Sequence, residues 1–421
     1  MAAEFVAGGV VVTDMSLIKN KLALAAVTLV SAGTALADDE WTTDVSYLSY
    51  NEAQDRVSVS KALWDITRDD EETKTSINLV YDTMSGASPT GAIQGSAGSV
   101  TYTGASGGAG FSAIPQHNSA SSTFSDTRVQ IGASQERELN RSNTVNYGAV
   151  YSTEQDYESV GMSIGLERES RTKNTVFSMG FATTFDTIST SYAQGTPAPL
   201  TNTNNGRLFS EGERGTNDLS LGVTQVINPL TLAQFNISFS QSEGYHTDPY
   251  KVISVADDSD RILETFTESR PSSRQRNSVS ARIIRQIANT RHSVHLGYRL
   301  YQDDWGIRSN TLDARFHYQL SARTYLEPTV RFYQQSAADF YQRKLGVDSN
   351  LRVVLPETGF VSADYRLDEM DSLTVGAKYG IVFSDHTSLR FRAAYLQQGF
   401  STAEFESNTA LLIQTSFSYQ F

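Results

Sequence analysis

From about Thr43 to Phe421 the chain repeats one pattern: ten to thirteen residues in which apolar and polar side chains alternate, followed by a turn. Side chains along a strand point to opposite faces in turn, so each repeat presents one apolar face and one polar face. Sixteen such ladders can be read, the first at Val57/Val59/Leu63 and the last at Leu411 to Phe421. Among those between are Val160/Met162/Ile164/Leu166, Val294/Leu296/Tyr298/Leu300, Val361/Ala363/Tyr365/Leu367 and Leu373/Val375/Ala377/Tyr379. After Ala37 no stretch approaches the roughly 18 consecutive apolar residues of a membrane helix. A chain that enters lipid without such a helix must close its sheet on itself, because every backbone N–H and C=O needs a partner there. The pattern predicts an all-β fold, a transmembrane antiparallel up-and-down β-barrel of about sixteen strands, in keeping with the even counts and strands of about 9–11 residues of bacterial barrels.

The last ladder has its apolar face in Leu411, Ile413, Phe417, Tyr419 and Phe421, with Gln414, Ser416, Ser418 and Gln420 on the other. A soluble sandwich could carry the same alternation, but soluble domains usually finish on polar, disordered residues. The segment looks like the closing strand of a bacterial outer-membrane barrel, which makes Phe417, Tyr419 and Phe421 the expected assembly signal and the barrel-assembly machinery a partner. Outer-membrane lipid and lipopolysaccharide are the expected surroundings.

At the other end, Lys19 and Lys21 precede an apolar run from Leu22 that closes on Ala35-Leu36-Ala37 before Asp38. A basic flank, a short apolar stretch and an A-x-A pattern describe a secretory signal peptide over 15–37, cleaved between Ala37 and Asp38. Residues 1–14 hold Glu4 and Asp14 and no basic residue, and read as an over-extended start. The expected mature unit is one barrel domain, 38–421, with a Gly/Ser-rich insert at 83–126.

There is no cysteine, so disulfides, thiolate metal sites and thioether-linked haem are excluded. The formal charge of −13 speaks against nucleic acid as a partner. The polar register of the C-terminal ladders is charged: His295, Arg299, Asp313, Arg315, His317, Glu327, Arg331, Asp364, Arg366, Lys378, Arg390 and Arg392. On a lipid face an arginine at the midplane costs about 2–4 kcal/mol, so these side chains are expected to line an aqueous lumen. Two readings of them stay open, an anion-attracting wall and pairing across strands that only stiffens the barrel. In the N-terminal half the same register is small and neutral, as in Gly161, Ser163, Gly165, Ser220 and Gly222.

The connections are of two kinds, short turns and four long segments, 83–126, 187–215, 243–274 and 336–357. Counting strands back from a periplasmic Phe421 puts all four long segments on the periplasmic side, where they could also fold inward as a plug. Gly104-Ala105-Ser106-Gly107-Gly108 satisfies G-x-S-x-G but lies in a Gly/Ser tract without the strand-to-helix turn that a nucleophile elbow needs. His295 and His317, with Asp313 and Glu327, are compatible with a metal or proton relay and equally with a lumen network. The acidic runs at 69–72, 257–260 and 303–304 lack calcium-loop spacing. Arg270, Arg274 and Arg276 form a basic clump suited to phosphates or an acidic partner.

Four stretches, Tyr81–Pro89, Glu268–Arg274, Tyr301–Ser309 and Arg331–Tyr341, together resemble the domain of unknown function 3570 family, and the likeness spans nearly the whole mature chain. The resemblance implies an outer-membrane barrel of a Gram-negative bacterium and brings no established activity, cofactor or site. It further implies gene neighbourhoods that encode small lipoproteins, thioredoxin-like proteins and flavin transferases, a hint of envelope redox work. The expected function is a non-enzymatic, porin-like barrel that passes or binds a small polar or anionic solute. The alternative is a non-conducting scaffold for a periplasmic or lipoprotein partner in an envelope redox pathway.

Overall fold

The structure, a computed structural model, describes residues 40–70, 72–89, 121–190, 195–203, 210–403 and 405–421. The expected leader, the cleavage pair Ala37 and Asp38, the G-x-S-x-G stretch and most of the Gly/Ser-rich insert lie outside the described residues. Nine strands come first: β1 (Glu40–Glu52), β2 (Val57–Asp69), β3 (Thr73–Pro89), β4 (Ser121–Asn140), β5 (Asn143–Thr153), β6 (Tyr157–Glu169), β7 (Thr175–Thr190), β8 (Ser210–Asn228) and β9 (Thr231–Gly244). Two short strands follow, β10 (Val252–Ala256) and β11 (Ile262–Thr267), which pair only with each other. The remainder are β12 (Ser273–Gln286), β13 (Ser293–Asp303), β14 (Arg308–Gln319), β15 (Thr324–Gln335), β16 (Met370–Ser384), β17 (Thr387–Phe400) and β18 (Ser407–Gln420).

All except β10 and β11 form one closed antiparallel barrel of sixteen strands, sealed where β1 meets β18. The seam continues to the last residue: Trp41 and Phe421 exchange backbone hydrogen bonds of 3.1 and 2.8 Å, and their rings stack with centroids 6.4 Å apart. Tyr419 stacks on Phe421 in turn, at 5.8 Å. Tight turns at this rim use the side-chain acceptors that such turns favour. Asp70 Oδ1 takes the Thr73 amide at 2.7 Å, Asn140 Oδ1 the Ser142 amide at 3.1 Å and Asn228 Oδ1 the Leu230 amide at 3.0 Å.

Large apolar side chains stand exposed around the outside, among them Ile131, Met162, Ile164, Phe177, Met179, Leu296, Tyr298, Val375, Tyr395 and Ile413. A belt of this kind on a closed sheet is what lipid requires and water does not tolerate. The inner register along β5–β9 is small. A Cβ on Gly222 would run into Ser178 Oγ and Asn236 Oδ1, so glycine there keeps room for the polar side chains beside it.

Two of the expected ladders are corrected. Residues 361–367 are not a barrel strand: Val361 and Ser362 make single bridges inside a connection, and Tyr365–Leu367 is one 3-10 turn. The sixteenth strand is β1 instead, which the apolar ladders omitted. The Val57/Val59/Leu63 ladder also faces inward: Lys61 on the same register pairs with Asp82, and Val57 lines the interior cavity.

These corrections reverse the parity. The long connections β3–β4, β7–β8, β9–β12 and β15–β16 all leave the rim opposite the one that holds Trp41 and Phe421, not the same rim. The first three are shorter than the expected bounds, since 83–89 and 121–126, for example, are strand residues of β3 and β4. The last is longer, running to 369 because it absorbs the misread 361–367 ladder.

At that far rim segments 245–272 and 336–369 fold together into a cap with its own hydrophobic core. Ile253, Val255 and Val361 are fully buried there with Leu345, and Leu200 and Phe266 pack around them. A second core, Trp305, Ile307, Ala338, Phe340 and Leu367, fixes the cap to the β13–β14 turn. Gly306 takes φ +88° in that turn, and a Cβ there would collide with the Asp339 carboxylate.

Candidate functional site: a capped lumen with a basic wall

Two cavities formed by the described residues lie inside the barrel, one under the cap and one beyond it along the wall. The upper one, about 870 Å³, lies between the cap, through Thr247, Lys251, Asp364, Tyr365 and Arg366, and wall residues that include Met84, Arg299, Thr311 and Tyr333. The lower one, about 670 Å³, is lined by Arg282, Asp313, Arg315, Glu327, Arg331, Lys378, Arg390 and Arg392, with Ser46, Gln414 and Ser416. Arg331 in the lower cavity and Tyr333 in the upper are two residues apart on one strand, so they share its inward face.

Most of the expected lumen residues therefore sit on one wall, formed by β12 to β18. Glu327 is its hub, with Lys378 Nζ at 2.8 Å, His317 Nδ1 at 3.3 Å and Arg315 at 3.4 Å. His295 Nδ1 lies 3.3 Å from the Arg315 guanidinium, a cation where a metal site would need another ligand. No cluster of three His or acidic residues with metal-holding geometry occurs among the described residues. Arg390 reaches Asp44 at 2.8 Å and Ser418 Oγ at 2.6 Å. Arg282, Arg331 and Arg392 make no ion pair or hydrogen bond within the described residues. Asp44 and Arg282 belong to this wall and were not among the expected residues. Arg282 was legible as the inward register of the Val279/Ala281/Ile283 ladder.

Asp364 and Arg366 are corrected from wall to cap. Arg366 holds Asp364 at 2.5 Å and Asp248 at 2.8 Å. Burial alone would raise the Asp364 carboxyl, but Arg366, Lys251 and Arg270 around it hold it well below the usual carboxylate range. Arg270 is buried between Glu268, at 2.6 Å, and Asp364, at 2.9 Å, so it ties segment 245–272 to segment 336–369. Ser362 Oγ donates to Glu268 from the second segment. The basic clump is thus structural rather than a free phosphate patch: Arg274 is 2.5 Å from Asp303, with Trp305 4.2 Å beneath its guanidinium, and Arg276 donates to Ser240 Oγ at 2.7 Å.

Across the upper cavity the turn between β5 and β6 brings Glu154 and Asp156 beside Asp126. Burial, then the hydrogen bond and charge of Asp126, push the Glu154 carboxyl up to about 8. Burial and the same neighbour raise Asp156 to about 6. His246, under Ser242 Oγ at 2.7 Å, is lowered to about 4 by burial and by nearby Arg214 and Arg274. The four stretches of the family likeness, Tyr81–Pro89, Glu268–Arg274, Tyr301–Ser309 and Arg331–Tyr341, meet at this rim as strand ends, cap anchors and the Trp305 turn.

Residues 19–414 match a family described as Protein of unknown function (DUF3570). Nothing among curated protein sequences matches. The barrel is similar to solved structures at low identity. One is the ferric enterobactin receptor PfeA (8% identity, TM-score 0.43, 86% of this chain and 54% of that one). Another is CdiB from Acinetobacter baumannii (6%, TM-score 0.48, 91% and 60%). A third is OccK3 (OpdO) of Pseudomonas aeruginosa (8%, TM-score 0.41, 92% and 96%). The chain spans about half the length of the receptor.

Proposed function

The chain belongs to the DUF3570 family, which lends it no activity, and from its own interior we propose that it is an outer-membrane barrel through which small polar, preferentially anionic solutes pass or are held. The observation that carries this reading is the partition of the wall, apolar side chains outside and Arg282, Arg331 and Arg392 inside without an ion-paired carboxylate among the described residues. Pairing that only stiffened the sheet would leave no cation uncompensated. Unscreened guanidinium groups in a narrow low-dielectric cavity raise the local anion concentration and repel cations.

The orientation in this reading puts Phe421 at the periplasmic rim and the cap toward the exterior. A scaffold for a periplasmic or lipoprotein partner finds less support, since among the described residues the periplasmic rim carries short turns such as Asp385-His386. The test is reconstitution into planar bilayers under a salt gradient. Conductance steps with an anion-directed reversal potential, weakened in Arg331→Gln/Arg392→Gln, support the pathway. Electrical silence of folded protein, with and without the cap, sinks it in favour of the scaffold.

A further inference from the structure

Lys378 on β16 and Arg392 on β17 are directly opposed in the ladder, both facing the lumen. Like charges in that position destabilise a sheet. The surroundings relieve only the outer members of the group. Lys378 is fastened to Glu327 at 2.8 Å, and Arg390, two residues before Arg392 on the same face, is fastened to Asp44 at 2.8 Å. Arg392 stands between them without a carboxylate, and its other cross-strand neighbour is the neutral Gln414. Glu327 and Asp44 each hold a flanking cation, and Asp313, which lines the same cavity, stands opposite Arg331 on the neighbouring strand.

The local charge count follows from the same contacts. Arg315, Lys378, Arg390 and Arg392 give four positive charges against Glu327 and Asp44, and Arg282 and Arg331 against Asp313 add one more, so this wall carries three uncompensated positive charges. A single chloride or monocarboxylate offsets one of these charges; a dianion offsets two. The guanidinium of Arg392 offers a planar fork that matches two oxygens of one phosphoryl group, and Lys378 and Arg390 are pre-positioned on either side. We infer that Arg392, flanked by Lys378 and Arg390, is a binding site for a doubly charged tetrahedral oxyanion, inorganic phosphate or the phosphate of a small phosphomonoester. This inference deepens the pathway reading, because it needs the lumen to be reached by water.

The experiment is calorimetric titration of the purified full-length barrel in detergent at fixed ionic strength. Inorganic phosphate is expected to bind saturably near pH 7.5, where it is mostly dianionic, and a chloride titration is expected to be flat. Arg392→Gln should weaken phosphate at least about tenfold, the loss of one charge-assisted contact, while Arg392→Lys keeps part of the affinity. Glycerol phosphate in a parallel titration tells the sources apart: tighter binding than phosphate assigns the site to an esterified solute, weaker binding to the free ion. Folding of each variant is checked by its heat-modifiable gel mobility. Absence of phosphate binding to the folded wild type, unchanged affinity in a folded Arg392→Gln, or succinate bound as tightly as phosphate would overturn the assignment. Anion-selective conductance without phosphate saturation removes this site and leaves the pathway; phosphate binding without conductance does the reverse.

Discussion

Glu327, only 6% exposed, is the acceptor for two cations of the lumen wall, Lys378 and Arg315, and lies beside the His317 imidazole as well. Glu327→Gln leaves Lys378 and Arg315 with a neutral amide. A buried pair broken in this way costs about 3–5 kcal/mol. Here the cations are about a quarter to a third exposed, so screening reduces the expectation to about 1–3 kcal/mol. The variant should unfold at lower temperature in a heat-modifiability gel and, with one acid fewer, shift the reversal potential further toward anions. Equal selectivity in a folded Glu327→Gln would mean that ions do not pass this wall. Which side chains face the lumen was readable wherever the alternation is clean, as in His295, Arg315, Glu327 and Arg392. It blurred in β1, whose inward register holds Leu48 and Tyr50 beside Asp44 and Ser46, so polar and apolar residues share one face.

At the level of elements, the cap shows why a ladder in the sequence need not be a strand in the sheet. Val361, Ala363 and Leu367 alternate as a membrane strand would, but Ser362 and Asp364 between them are equally buried, because the segment lies between two layers of cap rather than between lipid and water. Alternation reports two environments and cannot say what they are. One misread segment offset one missed strand, so the count came out right while every long connection was assigned to the wrong rim.

The cap is held by charge as well as by its cores. Arg270→Met leaves Glu268 and Asp364, which are almost fully buried, without the cation they share, a loss of about 3–5 kcal/mol. The expected outcome is rapid protease cleavage within 336–369 while the barrel keeps its folded mobility. A pH effect belongs to the β5–β6 turn. The carboxyls of Glu154 and Asp156 are raised above their ordinary values, so the stability they confer is complete below about pH 4 and is lost as pH rises toward 8. Glu154→Gln/Asp156→Asn should remove that loss, so its melting temperature should exceed the wild type's by a margin that widens between pH 4 and 8. A constant margin would mean that the carboxyls do not titrate in that range.

For the whole molecule the decisive quantity is which rim faces the cell exterior, since it determines whether the cap filters what enters or meets partners inside. Trp41, Phe421 and the tight turns share one rim, and the cap and the strand ends that open into all four long connections share the other. Short turns toward the periplasm and elaborated loops outward are the usual arrangement of bacterial barrels. Protease added to intact cells is therefore expected to cut the exposed hairpin around Leu351 and Val354, whereas protease confined to the periplasm should leave that hairpin intact. The same geometry predicts how the pore behaves. The cap residues Lys251, Tyr365 and Arg366 stand over the chamber above the basic wall, so a folded variant with 340–364 replaced by a short Gly/Ser linker should conduct more than the wild type and keep its preference for anions. Higher conductance with the preference gone would place the selective element in the cap; unchanged conductance would mean that solute bypasses the cap altogether.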